Sequence, residues 1–128
     1  MRLLVDTHLL LWAAFAGRRL PPRAVEQLED ARNELWFSSA SIWEISIKSS
    51  LGRPDFSIDP RLLRSGLRSS GYRELAVSSD HAVAVAELAP LHGDPFDRML
   101  IAQARAEAMT LLTHDAGLAE YGSPVRVV

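Results

Sequence analysis

The sequence predicts a three-layer α/β/α sandwich with a central, mostly parallel sheet. Short apolar segments alternate with longer amphipathic segments along the chain, which is typical of βαβ units. Two of the apolar segments, 1–5 and 109–113, are followed closely by an aspartate, Asp6 and Asp115. A chain of 128 residues without repeats or a linker predicts a single domain over 1–128.

Proline, glycine and small polar residues predict where the helices begin and end. Ser, Thr and Asp are favourable N-caps, proline is tolerated in a first turn, and glycine often ends a helix. The predicted order is strand 1–5, helix 7–15, loop 17–20, helix 23–31, strand 34–37, a helix capped at 38–39 and running to 50, helix 60–69 after Asp59, strand 73–77, a helix capped at 79 or 80 and running to 88, helix 95–107 after Asp94, and strands 109–113 and 124–128.

Composition narrows the class of protein. The 48% hydrophobic content supports a buried core, and the absence of cysteine excludes disulfides and thiolate-bound zinc or iron–sulfur clusters. A net charge of −2 gives no overall attraction for nucleic acid. Met1 leads directly into a predicted strand, and no segment is apolar over the length of a bilayer span. We therefore expect a cytoplasmic chain with no membrane partner.

Acidic residues are the strongest candidates for function. Ligands of open α/β sheets bind beyond the carboxyl ends of the strands. Asp6 and Asp115 follow two predicted strands, and Asp97 lies in the first turn of a predicted helix that faces the same edge. Glu44 lies in a helix that is apolar over most of its circumference, so we expect it to need a partner. Carboxylates gathered at one edge favour a hard divalent cation.

Each of these acids also has a structural interpretation. Asp6 and Asp115 could be turn residues, and Glu44 could be an exposed partner of Lys48 one helical turn later. Asp94 fits the N-cap of the helix that begins at Pro95, and capping is its predicted main role.

Other conspicuous residues have mostly structural interpretations. The histidines show no zinc-binding spacing, and the tryptophans lie among aliphatic residues, so core packing is expected for the latter. Arginines at three positions would form one basic stripe, either a solvated helix face or a phosphate-binding surface. These residues are His8, His81, His92, His114, Trp12, Trp36, Trp43, Arg61, Arg64 and Arg68.

Four segments together resemble PIN-domain ribonucleases of the VapC toxin type. They are 4–8 (LVDTH), 41–48 (SIWEISIK), 92–104 (HGDPFDRMLIAQA) and 112–115 (LTHD), and they cover the chain in the order and spacing of the family. The resemblance implies a ribonuclease that depends on Mg²⁺ or Mn²⁺, forms a homodimer and is held inactive by a cognate antitoxin protein. It also implies that the catalytic and metal-binding acids are Asp6, Glu44, Asp97 and Asp115.

Two other functions remain open from the sequence. One is a PIN-like binding module without catalysis, and the other is a metal-dependent phosphatase. Thr7, Lys48 and Thr113 are further candidates for positioning water or phosphate. Apolar residues on the first two predicted helices exceed what one core face needs and would provide a groove for a partner: Leu9, Leu10, Leu11, Trp12, Val25 and Leu28.

Overall fold

A computed structural model describes residues 1–52 and 57–128. The described strands form one five-stranded sheet in the order β3-β2-β1-β4-β5, and all four pairings are parallel. The strands are β1 Arg2–Val5, β2 Glu34–Ser38, β3 Arg73–Leu75, β4 Thr110–Thr113 and β5 Val125–Val127. The helices are α1 Thr7–Phe15, α2 Pro22–Glu29, α3 Ser39–Ser50, α4 Pro60–Ser69, α5 Ser79–Val85 and α6 Pro95–Ala106.

The central strands are apolar on both faces because helices cover both sides of the sheet. In β1, Leu3 and Val5 belong to one buried cluster, whereas Leu4 belongs to another. The first cluster includes residues of α1, α2, α3 and α4, and the second includes residues of α6 with α5 packed against it. Successive side chains of a strand point to opposite faces, so these continuous apolar strands require cover on both. The predicted α/β/α sandwich is therefore confirmed.

Several predicted boundaries differ from the structure. The strand predicted over 73–77 ends at Leu75, and the amide of Val77 donates to Ser39 Oγ at 3.1 Å rather than to another strand. The cap of α5 is Ser78, not residue 79 or 80, because Ser78 and His81 form a reciprocal capping box. The α5 helix ends at Val85, since the amides of residues 86–88 bond three residues back in tighter turns.

Two short 3₁₀ helices occupy segments that the sequence analysis assigned to a loop and a turn. They are Gly17–Arg19 and Ala116–Tyr121. Among the described residues, no helix has the length and hydropathy needed to cross a membrane.

The expectation of core packing fails for Trp43. Trp43 is 63% exposed, whereas Trp12 and Trp36 are half-buried against the two core clusters. The α3 helix already buries Ala40, Glu44 and Ile45, so Trp43 lies on the helix face that points away from the sheet.

The core takes up part of the partner groove that is predicted on the first two helices. Leu9 and Leu10 are fully buried, and Leu11, Trp12 and Leu28 pack against the same core cluster. Leu11, Trp12, Val25 and Leu28 remain half-buried, so the groove stays a prediction.

The basic stripe that is predicted on α4 lies at the surface, which fits both a solvated face and a phosphate-binding surface. Arg61, Arg64 and Arg68 are exposed, and Arg68 forms an ion pair with Glu74 at 2.6 Å.

Two helices end in the same motif with different residues at the left-handed position. Gly71 follows α4 with φ +90°, and Ala108 follows α6 with φ +54°. In each case the next amide bonds back to the last turn, from Tyr72 to Leu67 O at 3.0 Å and from Met109 to Ala104 O at 2.8 Å. Glycine adopts this conformation freely, whereas a Cβ is strained there.

We predict that Ala108→Gly raises the free energy of unfolding by about 1 kcal/mol, because it removes the strain of a left-handed alanine. Ala106→Gly is the matched control. Ala106 is exposed in the last helical turn, so glycine there should lower stability by up to about 1 kcal/mol. Urea unfolding of the two variants measures both effects. Equal destabilisation by both would contradict the left-handed strain.

Candidate metal site

The acidic residues lie at the sheet edge where the strand order changes direction. The chain builds β1, β2 and β3 towards one side and then returns to place β4 on the other side of β1. Asp6 follows β1 directly, and Asp115 lies two residues beyond the end of β4. In open α/β sheets this switch point is the usual place for a ligand.

Asp6 is almost completely buried, with 4% of its surface exposed. One carboxylate oxygen accepts from the amide of Leu9 at 3.1 Å and caps α1, and the other accepts from the hydroxyl of Thr113 on β4. Burial raises the pKa of the Asp6 carboxyl above its ordinary value, and the nearby Glu44 adds to this, although the two hydrogen bonds act in the opposite direction.

Glu44 enters the same edge from α3 and is also buried, with 5% of its surface exposed. Its Oε1 accepts from Thr7 Oγ1 at 2.9 Å, and Thr7 follows Asp6 directly in the chain. Its Oε2 forms an ion pair with Lys48 Nζ at 2.6 Å. The Lys48 pair considered from the sequence is present, but the glutamate is buried rather than exposed.

Asp97 is half-buried in the first turn of α6. Asp94 caps this helix, since its Oδ1 accepts from the amides of Phe96 at 2.8 Å and Asp97 at 3.2 Å. The predicted capping role of Asp94 is confirmed. The pKa of Asp97 is raised from 3.8 to about 7. Burial is the largest cause, and repulsion from Asp94, Asp6 and Glu44 adds to it, while His92 acts in the opposite direction. Asp97 therefore lies within electrostatic range of all three acids.

Asp115 stands on the outer side of the site. Its side chain is 46% exposed, and its Oδ1 accepts from the amide of Gly117 at 2.9 Å. The other oxygen lies 3.8 Å from His92 Nε2, and His92 Nδ1 lies 3.8 Å from Asp97 Oδ2. His92, Asp97 and Asp115 each offer a ligand atom within 4.8 Å of the others.

His92 is the residue of this edge that the sequence analysis missed. The histidine spacing predicts structural roles, and His81 follows that expectation, since it is buried and paired with Glu107 at 2.9 Å. The available signal was its position two residues before Asp94 and five before Asp97. The structure thus gathers Asp6, Glu44 and Asp97, and His92 links Asp115 to them.

An apolar pocket is lined in part by the chain neighbours of Glu44 and Asp97. It has a volume of about 480 Å³, and its lining includes Trp43, Val77, Phe96 and Met99. The rings of Trp43 and Phe96 meet edge to face with centroids 5.3 Å apart. Trp43 precedes Glu44 and Phe96 precedes Asp97, so the aromatic rim and the acids are carried by the same two helices.

The chain belongs to the PIN-domain family, since the model of that family matches residues 3–124. A comparison with curated protein sequences gives no match.

Solved structures share the fold. The chain is similar to VapBC2 from Rickettsia felis bound to a DNA fragment from their promoter, with 19% identity, a TM-score of 0.69 and coverage of 100% of this chain and 98% of that one. It is similar to a toxin–antitoxin complex from Klebsiella pneumoniae, with 20% identity, a TM-score of 0.66 and coverage of 99% and 97%. It also resembles a domain of a functionally unknown protein from Methanocaldococcus jannaschii, with 17% identity, a TM-score of 0.58 and coverage of 99% and 90%.

The raised pKa of Asp97 predicts a pH-dependent stability in metal-free protein. The folded carboxyl holds its proton up to about pH 7, whereas the unfolded one loses it near the ordinary pKa of 3.8. The folded state then binds more protons across this window, so the free energy of unfolding should fall as the pH rises through it. In Asp97→Asn this part of the decline should vanish.

Chemical denaturation in a chelating buffer at a series of pH values measures this decline. Saturating Mg²⁺ gives the comparison in wild type, because a bound cation would replace the proton and flatten the decline. If Asp97→Asn kept the pH profile of the wild type, the decline in the free energy of unfolding would not come from Asp97.

Proposed function

We propose that this chain is a cytoplasmic endoribonuclease that depends on Mg²⁺ or Mn²⁺ and acts as the VapC-type toxin of a toxin–antitoxin pair. The observation that carries the proposal is the gathering of Asp6, Glu44 and Asp97 at the switch point of the sheet, with Asp115 at its rim. The membership of the PIN-domain family and the two toxin–antitoxin complexes among the similar structures support it.

The donor atoms of the site fit a hard divalent cation. Carboxylates that share one site repel each other, and this repulsion adds to burial in raising the pKa of Asp97. Carboxylate oxygens without any thiolate suit Mg²⁺ or Mn²⁺. We assign Asp6, Glu44, Asp97 and Asp115 as the residues that hold the cation.

A bound cation would lower the pKa of a water molecule, orient it for attack on a phosphodiester and neutralise charge on the phosphate oxygens. The protein side chains have separate tasks. Thr113 and Thr7 donate hydrogen bonds that fix the carboxylates of Asp6 and Glu44, so both are positioning residues. Lys48 pairs with Glu44 while 40% of its side chain stays exposed, which leaves its ammonium group able to meet a phosphate oxygen at the mouth of the site.

The proposed substrate and the acidic site have the same sign of charge. The chain has a net charge of −2, and the acids add negative potential where an RNA phosphate would bind. A cation held by the carboxylates removes this conflict. We therefore expect both RNA binding and RNA cleavage to depend on the metal.

A homodimer is part of the proposal, and an apolar stripe along α3 and its C-cap residue supports it. Trp43, Ile47 and Leu51 recur every four residues and are 63%, 37% and 62% exposed. Side chains at this spacing lie on one helix face. The stripe continues into the apolar pocket at Trp43, and a stable interface needs roughly 800 Å² from each partner. A second copy of the chain would cover this surface.

We predict that Asp6→Asn, Glu44→Gln, Asp97→Asn and Asp115→Asn each reduce RNA cleavage more than about tenfold, because each removes charge that holds the cation. EDTA should abolish cleavage by wild type. Asp94→Ser is the matched control, since serine keeps the N-cap of α6 and should retain much of the activity. The assay is cleavage of total RNA with Mg²⁺ or Mn²⁺, with circular dichroism to verify folding.

Wild-type rates in all four variants would rule out the acidic site. Folded wild-type protein that cleaves no RNA would favour a binding module, and release of phosphate from a phosphomonoester without RNA cleavage would favour a phosphatase.

The product of a small neighbouring gene should bind the chain and suppress cleavage. Cleavage unaffected by that product would remove the toxin assignment and leave the nuclease.

We predict that Ile47→Asp weakens the dimer, because it places a charge in the centre of the α3 stripe. Val83→Asp is the matched control, since Val83 is also a β-branched helix residue, is 65% exposed and lies on α5. Sedimentation velocity over a range of concentrations should show a dimer for wild type and for Val83→Asp, with a shift towards monomer for Ile47→Asp. A monomeric wild type at every concentration would overturn the dimer.

A further inference from the structure

We propose that His92 is a metal ligand that makes this site prefer Mn²⁺ over Mg²⁺. The inference rests on the proposed function. It concerns His92, which lies between Asp97 and Asp115 and is not one of the four acids assigned to the cation. An imidazole nitrogen is a softer donor than a carboxylate oxygen and is better suited to transition metals than to Mg²⁺. One such ligand would therefore change which ion the site retains.

The separations around His92 fit two ligands on one ion. His92 Nδ1 to Asp97 Oδ2 and His92 Nε2 to Asp115 Oδ2 are both 3.8 Å, which is too long for a direct hydrogen bond. Adjacent ligand atoms around an octahedral ion with bonds of about 2.1 Å lie about 3 Å apart, and opposite ones lie about 4.2 Å apart. The gap between Nδ1 and Asp97 falls between these two values, so it is the gap that a shared cation can occupy after a small adjustment.

The two ring nitrogens already have different hydrogen-bonding roles. The amide of Asp94 donates to Nδ1 at 3.3 Å, so Nδ1 carries the lone pair in the neutral ring and Nε2 carries the proton. A cation at Nδ1 would take this lone pair and replace that long hydrogen bond. The Nε2 proton faces Asp115, and the Nδ1 lone pair is on the side of Asp97. Metal-bound histidines usually donate their second ring N–H to a carboxylate, which fixes the tautomer and the ring plane.

The loop that carries His92 is held in place by Arg98 on α6. The guanidinium donates to Val85 O at 3.2 Å, to Ala89 O at 2.9 Å and to Tyr121 Oη at 2.9 Å. These bonds tie the segment after α5 to α6 and to the 3₁₀ helix that follows Asp115. The backbone that leads to His92 is therefore held before any ion arrives, which reduces the entropy lost on binding.

The test is direct metal binding by the full chain, with His92→Ala and His114→Ala compared with wild type. His114 is the matched control, because it is an exposed neighbour of Asp115 whose ring contacts the backbone carbonyl of Val128. Calorimetric titration should show the Mn²⁺ Kd of His92→Ala raised about tenfold or more, with the Mg²⁺ Kd changed by less than about threefold. His114→Ala should keep the wild-type ratio.

A spectroscopic measurement identifies the ligand itself. Pulsed EPR of the Mn²⁺-loaded protein should show the ¹⁴N coupling of a coordinated imidazole in wild type and in His114→Ala, and none in His92→Ala. An unchanged ratio of Mn²⁺ to Mg²⁺ affinity, or a ¹⁴N signal that survives in His92→Ala, would overturn the role of His92.

Failure of this inference is separable from failure of the proposed function. A wild type that binds both ions and cleaves RNA, with no effect of His92→Ala on the affinity ratio, removes only the histidine ligand. A wild type that binds neither ion and cleaves no RNA removes both.

Discussion

The contact between the Thr113 hydroxyl and the Asp6 carboxylate connects the elements on which the site depends. Thr113 ends β4, Asp6 follows β1, and the second oxygen of Asp6 caps α1 through the amide of Leu9. One buried carboxylate therefore joins the two strands on either side of the switch point and sets where α1 begins. Thr7, the first residue of that helix, then orients Glu44 on α3. Asp97 is placed relative to this unit by α6, which begins at the same edge, and Asp115 is placed by the end of β4.

The strands and the inner acids were predictable because local signals and the global fold agree there. Continuous apolar strands indicate cover on both faces, and carboxyl ends of parallel strands meet at one edge, so Asp6 and Asp115 could be assigned to that edge from their positions alone. Glu44 was predictable from the apolar residues around it. Asp94 was predictable as a cap because Asp followed by proline is a strong helix-start signal.

The features that could not be predicted depend on tertiary contacts between distant segments. His92 reaches the site from a loop whose earlier part bonds to Arg98, and no periodic pattern encodes the path of that loop. Trp43 has the apolar neighbours of a core residue, yet its helix turns it outward; periodicity identifies an apolar face without saying what covers it. The end of α5 depends on a change from four-residue to three-residue hydrogen bonding, which has no distinct composition.

The pairing of neighbours along the chain links the chemistry of the site to its apolar rim. Trp43 and Glu44 are consecutive on α3, and Phe96 and Asp97 are consecutive on α6. Consecutive helix residues point about 100° apart, so the acid presents to the acidic edge while the aromatic residue before it presents to the surface beside that edge. An inserted or deleted residue upstream in either helix would rotate both members together. The acid and its aromatic neighbour therefore keep a fixed relative orientation. Substitution can change the aromatic residue alone, whereas a shift of helix register would also move the acid out of the site.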